Sequence, residues 1–266
     1  MEPHPDSGGN RALRALERVI AFSHRITRKR SHPYFVAMDA AAICGAVATA
    51  TLTARLSRPQ EGVVFAALLL LVFYFPVYPA LLAIKRALGA RGSRSTLFDS
   101  LILVPLLVLS AAWCGIPVGT VSTVLAIVLP LTFAITRIGC FLGGCHYGRP
   151  HALGVRYRPE DLVSRHRWWR SFTPDPWPAE RVLPLNLIDA GFQLLVSGSI
   201  AAAVLTGVLT QDVSWLLVYL GLYSAFRMVS DPLRGPSRRR TIGSLSATQW
   251  LSASIMAVAT TVVALT

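Results

Sequence analysis

The sequence predicts an all-α integral membrane protein with about seven transmembrane helices and one sizeable interfacial loop. The composition is 53% hydrophobic and only 15% charged, whereas a soluble domain carries about 25% charged residues. Several apolar runs approach or exceed the roughly 20 residues that a helix needs to cross a bilayer. The charged residues lie mostly between these runs. This pattern predicts a basic N-terminal tail over residues 1–33 and a single transmembrane domain over residues 34–266.

The basic tail has the pattern of an amphipathic helix that lies in the membrane interface. Its arginines are interleaved with apolar residues, and a partly disordered tail is the alternative. No short apolar core precedes a cleavage site, so we expect the first span, and not a signal peptide, to insert the chain. The residues of the pattern are Arg11, Arg14, Arg18 and Arg25 among Leu13, Leu16, Val19, Ile20 and Phe22.

Seven apolar runs predict the spans in order. Asp39 lies inside the first run, where an acidic residue is costly and is a functional hypothesis by default, unless it reaches the nearby interface. Pro76 and Pro79 are expected to kink the second run, and Asp99 begins the third. The predicted spans are residues 34–56, 63–84, 97–113, 118–135, 185–209, 213–229 and 245–265.

The charge distribution favours a lipid partner. The net charge is +13, which nucleic acid could match, but apolar spans separate the charges, and so anionic lipid is the expected partner and nucleic acid is not. The loop at residues 149–183 combines tryptophan with arginine, a pair typical of the head-group zone. The tail and the second, fourth and sixth loops between the spans hold 24 of the 26 lysines and arginines. The positive-inside rule therefore places the tail and residues 136–150 in the cytoplasm.

Residues 136–150, with the sequence TRIGCFLGGCHYGRP, are the most informative stretch. Arg137 and Arg149 offer forked donors that suit phosphate, and the glycines allow backbone to approach a ligand closely. At the end of a membrane span, these groups predict a site for a phospholipid head group. A glycine-rich junction between helix and loop, with interfacial arginines, is the plain alternative.

A second charged group follows the sixth span. Arg227, Asp231 and Arg234 recur at spacings of four and three, so that they share one helix face if the helix continues through them. Pro232 opposes that continuation. A solvated ion-pair face is the alternative to a functional site.

These residues resemble the motifs of the prolipoprotein diacylglyceryl transferase family. Within the central stretch, the family's signature is matched in register by Arg137, Gly139, Phe141, Gly144 and Gly148. Weaker resemblances follow in the family's order: Tyr34 in the first span, Pro184, Asn186 and Asp189 in the fifth, Arg227, Asp231 and Arg234 after the sixth, and Ser246, Gln249 and Ser252 in the last.

The resemblance implies a multi-pass enzyme of the plasma (inner) membrane that uses no cofactor or metal. Such an enzyme transfers the diacylglyceryl group of phosphatidylglycerol to the thiol of a cysteine in a prolipoprotein signal peptide. Arg137 and Arg227 are then expected to hold the leaving phosphate, and Tyr34 to orient the head group. The other residues implied in substrate binding are Gly139, Gly144, Gly148, Arg149, Asn186, Asp189, Asp231 and Arg234, of which the two acids are expected to hold the arginines.

The thiol must lose its proton, and His146 is a candidate base because its unperturbed pKa lies near 6.5. A plain interfacial histidine is the alternative. Zinc bound by Cys140, Cys145 and His146, a disulfide or reactive thiol, and simple replacement by small residues are alternatives for the two cysteines.

The chain departs from the family's pattern at several positions. Cys140 and Gly143 replace asparagines, Cys145 replaces a glutamate, and the family's histidine motif in the third span has no counterpart. A non-catalytic or repurposed phospholipid-binding membrane protein of the same fold is therefore the second hypothesis. The resemblance also implies that the signature faces outward, in opposition to the charge distribution.

Overall fold

Apolar runs form the framework of the fold as a series of helices. The computed structural model describes residues 11–27, 33–73, 84, 97–144, 147–157, 180–208, 214–234 and 241–265. These residues contain α1 (Arg11–Thr27), α2 (Pro33–Leu56), α3 (Pro59–Phe73), α4 (Leu97–Trp113), α5 (Val118–Leu142), α6 (Leu185–Leu205), α7 (Ser214–Ser230) and α8 (Ala247–Leu265). Three short strands are β1 (Pro150–Val155), β2 (Thr241–Ile242) and β3 (Leu245–Ser246), and β2 pairs antiparallel with β3.

Each of the seven predicted spans contains a helix, α2 to α8. The second is described only to Phe73, so the kink expected at Pro76 and Pro79 lies outside the described residues. The fourth runs to Leu142 instead of ending at residue 135. No proline interrupts Thr136–Leu142, and its apolar residues continue the helix, so half of the central stretch is helical. Gly144, with φ at 68°, then turns the chain away from α5, a conformation that glycine adopts without strain.

Three helices in the described part of the chain are long and apolar enough to cross a membrane: α2 with 24 residues, α5 with 25 and α6 with 21. The expectation of a helical membrane protein is therefore supported, whereas seven full spans are not confirmed. The structure shows an apolar, mostly helical protein with at least three candidate spans, and α3 and α4 contain shorter apolar segments.

Helix α5 is the centre of the structure. It packs against α2 on one side and α6 on another, and every residue from Thr120 to Pro130 is buried. The main hydrophobic cluster surrounds this segment and includes Phe65 from α3, Leu107 from α4 and Tyr219 from α7. Because α5 is enclosed on all these sides, its C-terminal end is held in a fixed place, and this end carries Arg137.

Glycine allows α2 and α5 to cross closely at two levels. A Cβ added at Gly45 would lie 2.6 Å from Cγ2 of Thr132, and one added at Gly139 would collide with Cβ of Ala37. The backbone of Tyr34 lies next to the same point, with its Cα 3.4 Å from that added Cβ. Gly139 therefore sets how closely the start of α2, with Tyr34, approaches the end of α5.

Replacement of Gly139 by alanine should destabilise the protein by about 1–3 kcal/mol, because the extra methyl group overpacks the crossing with Ala37. Thermal unfolding in detergent measures this. Gly191→Ala in α6 is the matched control, since a Cβ there has nothing within 4 Å. Ala37→Gly, added to Gly139→Ala, should restore part of the loss. Equal melting temperatures for Gly139→Ala and Gly191→Ala would contradict this account of the crossing.

Candidate functional site

Five charged residues meet where α5, α6 and α7 adjoin at one end of the structure. Arg137 lies near the end of α5, Asp189 near the start of α6 and Arg227 near the end of α7. Asp231 and Arg234 follow α7, in and directly after a short 3-10 helix (Asp231–Leu233). We refer to these five residues as the arginine cluster. The two charged groups that were separate in the sequence thus form one site.

Arg137 and Asp189 form the ion pair that joins α5 to α6. Nε of Arg137 lies 2.8 Å from Oδ2 of Asp189. The Asp189 side chain is 5% exposed, whereas the Arg137 side chain is 22% exposed. The acid therefore lies inside the protein and fixes the guanidinium, part of which remains accessible to a ligand.

A polar network behind this pair restrains it further. Nε2 of Gln193 donates to Oδ1 of Asp189 over 3.4 Å, and the Tyr219 hydroxyl donates to Oε1 of Gln193 over 3.1 Å. The Tyr223 hydroxyl accepts a hydrogen bond from the Arg137 guanidinium. Such fully buried polar networks hold their members in one arrangement. Arg137 is thus positioned by groups from two other helices.

Asp231 is shared by two arginines. Its Oδ1 lies 3.5 Å from Nη2 of Arg227 and 3.7 Å from Nε of Arg234. Its other oxygen accepts a hydrogen bond of 2.5 Å from the hydroxyl of Ser246. The same hydroxyl accepts from the backbone N–H of Gln249 over 3.1 Å. This places Ser246 as the N-terminal cap of α8 and links α8 to the cluster.

Arg227, Asp231 and Arg234 lie together as predicted, but they do not share one continuous α-helix. Helix α7 ends at Ser230, one residue before Asp231 and two before Pro232. The 3-10 turn that follows still brings both arginines to the same carboxylate. The proline ended the α-helix as expected, but it did not separate the charges.

The cluster has more donors than its own acids use. Three arginines face two aspartates, and Nε of Arg227 and Nε of Arg234 are buried without a hydrogen-bond partner in the described structure. Arg227 is 5% exposed. A buried donor without a hydrogen-bond partner costs about 1–3 kcal/mol, and the oxygen atoms of an anion are acceptors of the kind that these donors lack. The geometry and the surplus charge therefore suit a phosphate or another anion.

Burial and the surplus positive charge of the cluster both lower the pKa of Arg234. Burial, and then the positive charges of Arg227 and Arg137, lowers the pKa of Arg234 from its ordinary value to about 9. An anion bound between the arginines would oppose both effects, because it supplies the missing negative charge.

A backbone joint holds the loop of the central stretch against Arg234. The N–H of Gly148 donates to the carbonyl of Leu183 over 2.9 Å, and the N–H of Arg149 donates to that of Leu233 over 2.8 Å. Leu183 in turn donates to the carbonyl of Arg149 over 3.0 Å. A Cβ on Gly148 would lie 2.8 Å from Leu183 and 2.9 Å from the Leu233 oxygen. We refer to residues 148–149, 183 and 233–234 as the backbone joint.

The structure also places the other predicted site residues that it describes. Asn186 is buried one turn before Asp189, and the side chain of Arg149 is exposed although its backbone belongs to the joint. Tyr34 packs with Phe35 around the buried Cys140. Gly139 faces α2 and Gly148 lies in the joint, so both provide close packing beside the cluster. Cys145 and His146 lie outside the described residues, as does any site that they would form.

Sequence reasoning missed the polar network behind Arg137. Tyr219, Tyr223, Arg227 and Asp231 follow one another at intervals of four, and all four are buried. This spacing places the first three on one face of α7 and Asp231 in the 3-10 turn that follows it. The signal was available, because polar side chains at regular helical spacing in an apolar run indicate an inward face. Gln193 stands four residues after Asp189 and carries the same signal on α6.

A family model described as prolipoprotein diacylglyceryl transferase matches residues 60–265, which is more than half of the chain. The chain belongs to the prolipoprotein diacylglyceryl transferase family. No curated protein matches the sequence.

This family comprises membrane transferases that act on lipoprotein precursors with a phospholipid donor. The matched residues include the whole arginine cluster, the backbone joint, all of α3 except its first residue, and α4 to α8. They do not include α1 or α2, and hence exclude Tyr34.

Asp189→Asn should destabilise this family member by about 3–5 kcal/mol, because it leaves Arg137 without its acid in a largely buried place. Arg137→Gln combined with Asp189→Asn should recover much of that loss, since no unpaired charge remains. Thermal or denaturant unfolding of the two single variants and the double variant gives the coupling. Additive losses would show that the pair contributes nothing as a pair.

Binding of a phosphate-containing lipid should weaken as the pH rises through about 9, because free Arg234 loses its proton there and the anion loses a positive partner. The affinity is highest below this pH, where Arg234 is charged in both the lipid-free and the lipid-bound protein. Titration of a short-chain phosphatidylglycerol at pH values on either side of 9 measures the effect. The variant Arg234→Gln should bind the lipid more weakly at neutral pH and should not show the fall in affinity near pH 9. If that fall is unchanged in the variant, another group causes it.

Proposed function

We propose that this chain transfers the diacylglyceryl group of phosphatidylglycerol to the thiol of a signal-peptide cysteine in a prolipoprotein, at the plasma (inner) membrane. The observation that supports this most directly is the arginine cluster, in which three guanidinium groups share two carboxylates and, among the described residues, two buried Nε donors have no hydrogen-bond partner. The cluster lies at the end of a candidate span, within reach of a head group.

The leaving group sets the first demand on the site. The thiol sulfur attacks the glyceryl carbon that carries the phosphate, and the carbon–oxygen bond breaks as the carbon–sulfur bond forms. The electron pair leaves with glycerol phosphate, so negative charge grows on a phosphate oxygen. Arg137, Arg227 and Arg234 would hold that phosphate with charge-assisted hydrogen bonds. Donors fixed in advance stabilise developing charge without reorganisation, and Asp189 and Asp231 supply this fixation.

The attacking thiol sets the second demand. Its proton must be removed before or during attack, since the thiolate is the nucleophile. The surplus positive charge of the cluster favours a thiolate bound beside it. The proton passes to a base or to the departing phosphate, and His146 is our candidate for that base. Tyr34, whose backbone lies beside the end of α5, is our candidate for orienting the head group.

A non-catalytic phospholipid-binding protein is the second candidate function. Cys140 is buried and packs with Tyr34 and Phe35, and Gly143 is buried at the end of α5. Both stand where the family pattern has asparagines. Two polar amide side chains are therefore replaced by small buried residues. A chain of this kind would keep the arginine cluster and bind the donor without transferring it.

Purified protein with phosphatidylglycerol and a lipobox peptide that carries one cysteine should add one diacylglyceryl group to the peptide, as read by mass spectrometry. Arg137→Lys should reduce the rate by about 10²–10³, because it keeps the charge but loses the fork that holds the phosphate. Arg58→Gln is the matched control, since the Arg58 side chain is 77% exposed and far from the cluster in sequence.

Two outcomes would decide between the candidates. Tight binding of phosphatidylglycerol that depends on Arg137, with no mass gain while a known transferase is active in parallel, would favour the binding protein. A mass gain that Arg137→Lys leaves unchanged would show that the cluster is not the reacting site.

A further inference from the structure

Helix α1 lies outside the family match and is nevertheless built into the fold. Its inner face packs against the core that includes Phe141, Val155 and Tyr157, with Ile20 2% exposed. His24 is buried as well, and its Nε2 donates to the carbonyl of Leu142 over 2.7 Å. Helix α1 is therefore held across the end of α5, directly beside the central stretch.

Glu17 fastens α1 to Arg156 and to Arg181, which lies close to the backbone joint in the chain. Its Oε1 lies 3.1 Å from Nη1 of Arg181 and accepts the backbone N–H of Arg156 over 3.0 Å. Arg181 precedes Leu183 of the joint by two residues, and its carbonyl accepts the N–H of His151 over 3.0 Å. Since Glu17 is the only acidic residue of α1, the opposite face of this helix carries no negative charge.

That opposite face carries two parallel rows. One is a basic row formed by four exposed arginines, and the other is an exposed apolar row beside it. At 100° per residue, the basic row and the apolar row occupy adjacent sectors. The basic row is Arg11, Arg14, Arg18 and Arg25, and the apolar row is Val19, Phe22 and Ile26, exposed by 50%, 60% and 64%.

The level of α1 relative to the bilayer follows from α5. A helix of 25 residues is about 37 Å long, longer than the hydrocarbon core of about 30 Å. The end of α5 at Leu142 therefore reaches the head-group zone, and α1 contacts that end through His24. At this level phosphates lie next to the acyl boundary, so a basic row beside an apolar row matches both layers.

We propose that α1 is a docking surface for anionic phospholipid head groups. Its arginines bind lipid phosphates, its apolar row enters the acyl boundary, and its inner face holds the backbone joint beside Arg234. This role is independent of the proposed transfer reaction.

The test uses the full chain in nanodiscs of purified lipid, with amide hydrogen exchange of residues 11–27 as the readout. Discs of phosphatidylcholine alone are compared with discs that contain about 30% phosphatidylserine, an anionic lipid that is not the proposed donor. We expect slower exchange in the anionic discs, by about fivefold for each arginine that contacts the surface. The difference should shrink in about 0.5 M salt, which screens exposed charges.

Three variants make the result specific. Arg14→Gln with Arg18→Gln should remove most of the difference between the two lipids, whereas Arg58→Gln, outside α1, should leave it intact. Glu17→Gln should speed exchange in both lipids and preserve their ratio, because it loosens the inner face only. Exchange over residues 118–142 reports whether each variant is folded.

Equal exchange of α1 in the two lipids would overturn the proposal, and so would a difference that survives Arg14→Gln with Arg18→Gln. No transfer assay enters this experiment. A chain without transferase activity can pass it, and an active transferase can fail it.

Discussion

The shared use of buried carboxylates by arginines is the constraint on which the site depends. Asp189 pairs with Arg137, and Asp231 serves both Arg227 and Arg234. A buried ion pair rarely adds stability compared with apolar packing, whereas an uncompensated buried charge is strongly destabilising. In the described structure, two acids hold three guanidinium groups in place. The remaining positive charge is available to an anion, as are the two Nε donors that have no hydrogen-bond partner in the described part of the chain.

The packing of the helices brings these charged residues together. Helix α5 is enclosed by its neighbours, and Gly45 and Gly139 let α2 lie close along it. The polar network through Gln193, Tyr219 and Tyr223 then fixes the arginine on α5 relative to α6 and α7. Close packing and polar restraint together give the preorganisation that phosphate stabilisation requires.

The same site suits two kinds of protein, a transferase and a lipid-binding relative, because both must hold a phosphate. What would separate them is the handling of the thiol proton, for which His146 is our proposed base. The joint of residues 148–149, 183 and 233–234 contains Arg234, and Arg181, two residues before Leu183, pairs with Glu17 of α1. If α1 binds the membrane surface, its contacts with the end of α5 and with Arg181 link that surface to the position of the arginine cluster.

The sequence by itself determined the class of fold, the order of the helices and the main charged residues. Apolar runs and the motif Arg137–Gly148 carry that information locally, because helix formation and residue spacing depend on near neighbours in the chain. The sequence did not show that α5 continues to Leu142, since a glycine-rich segment is compatible with helix or loop until it packs against α2. Only the tertiary structure joined Arg137 to Asp189, and Asp231 to Ser246, across separate helices. Such pairings depend on how distant helices cross, and packing decides that crossing.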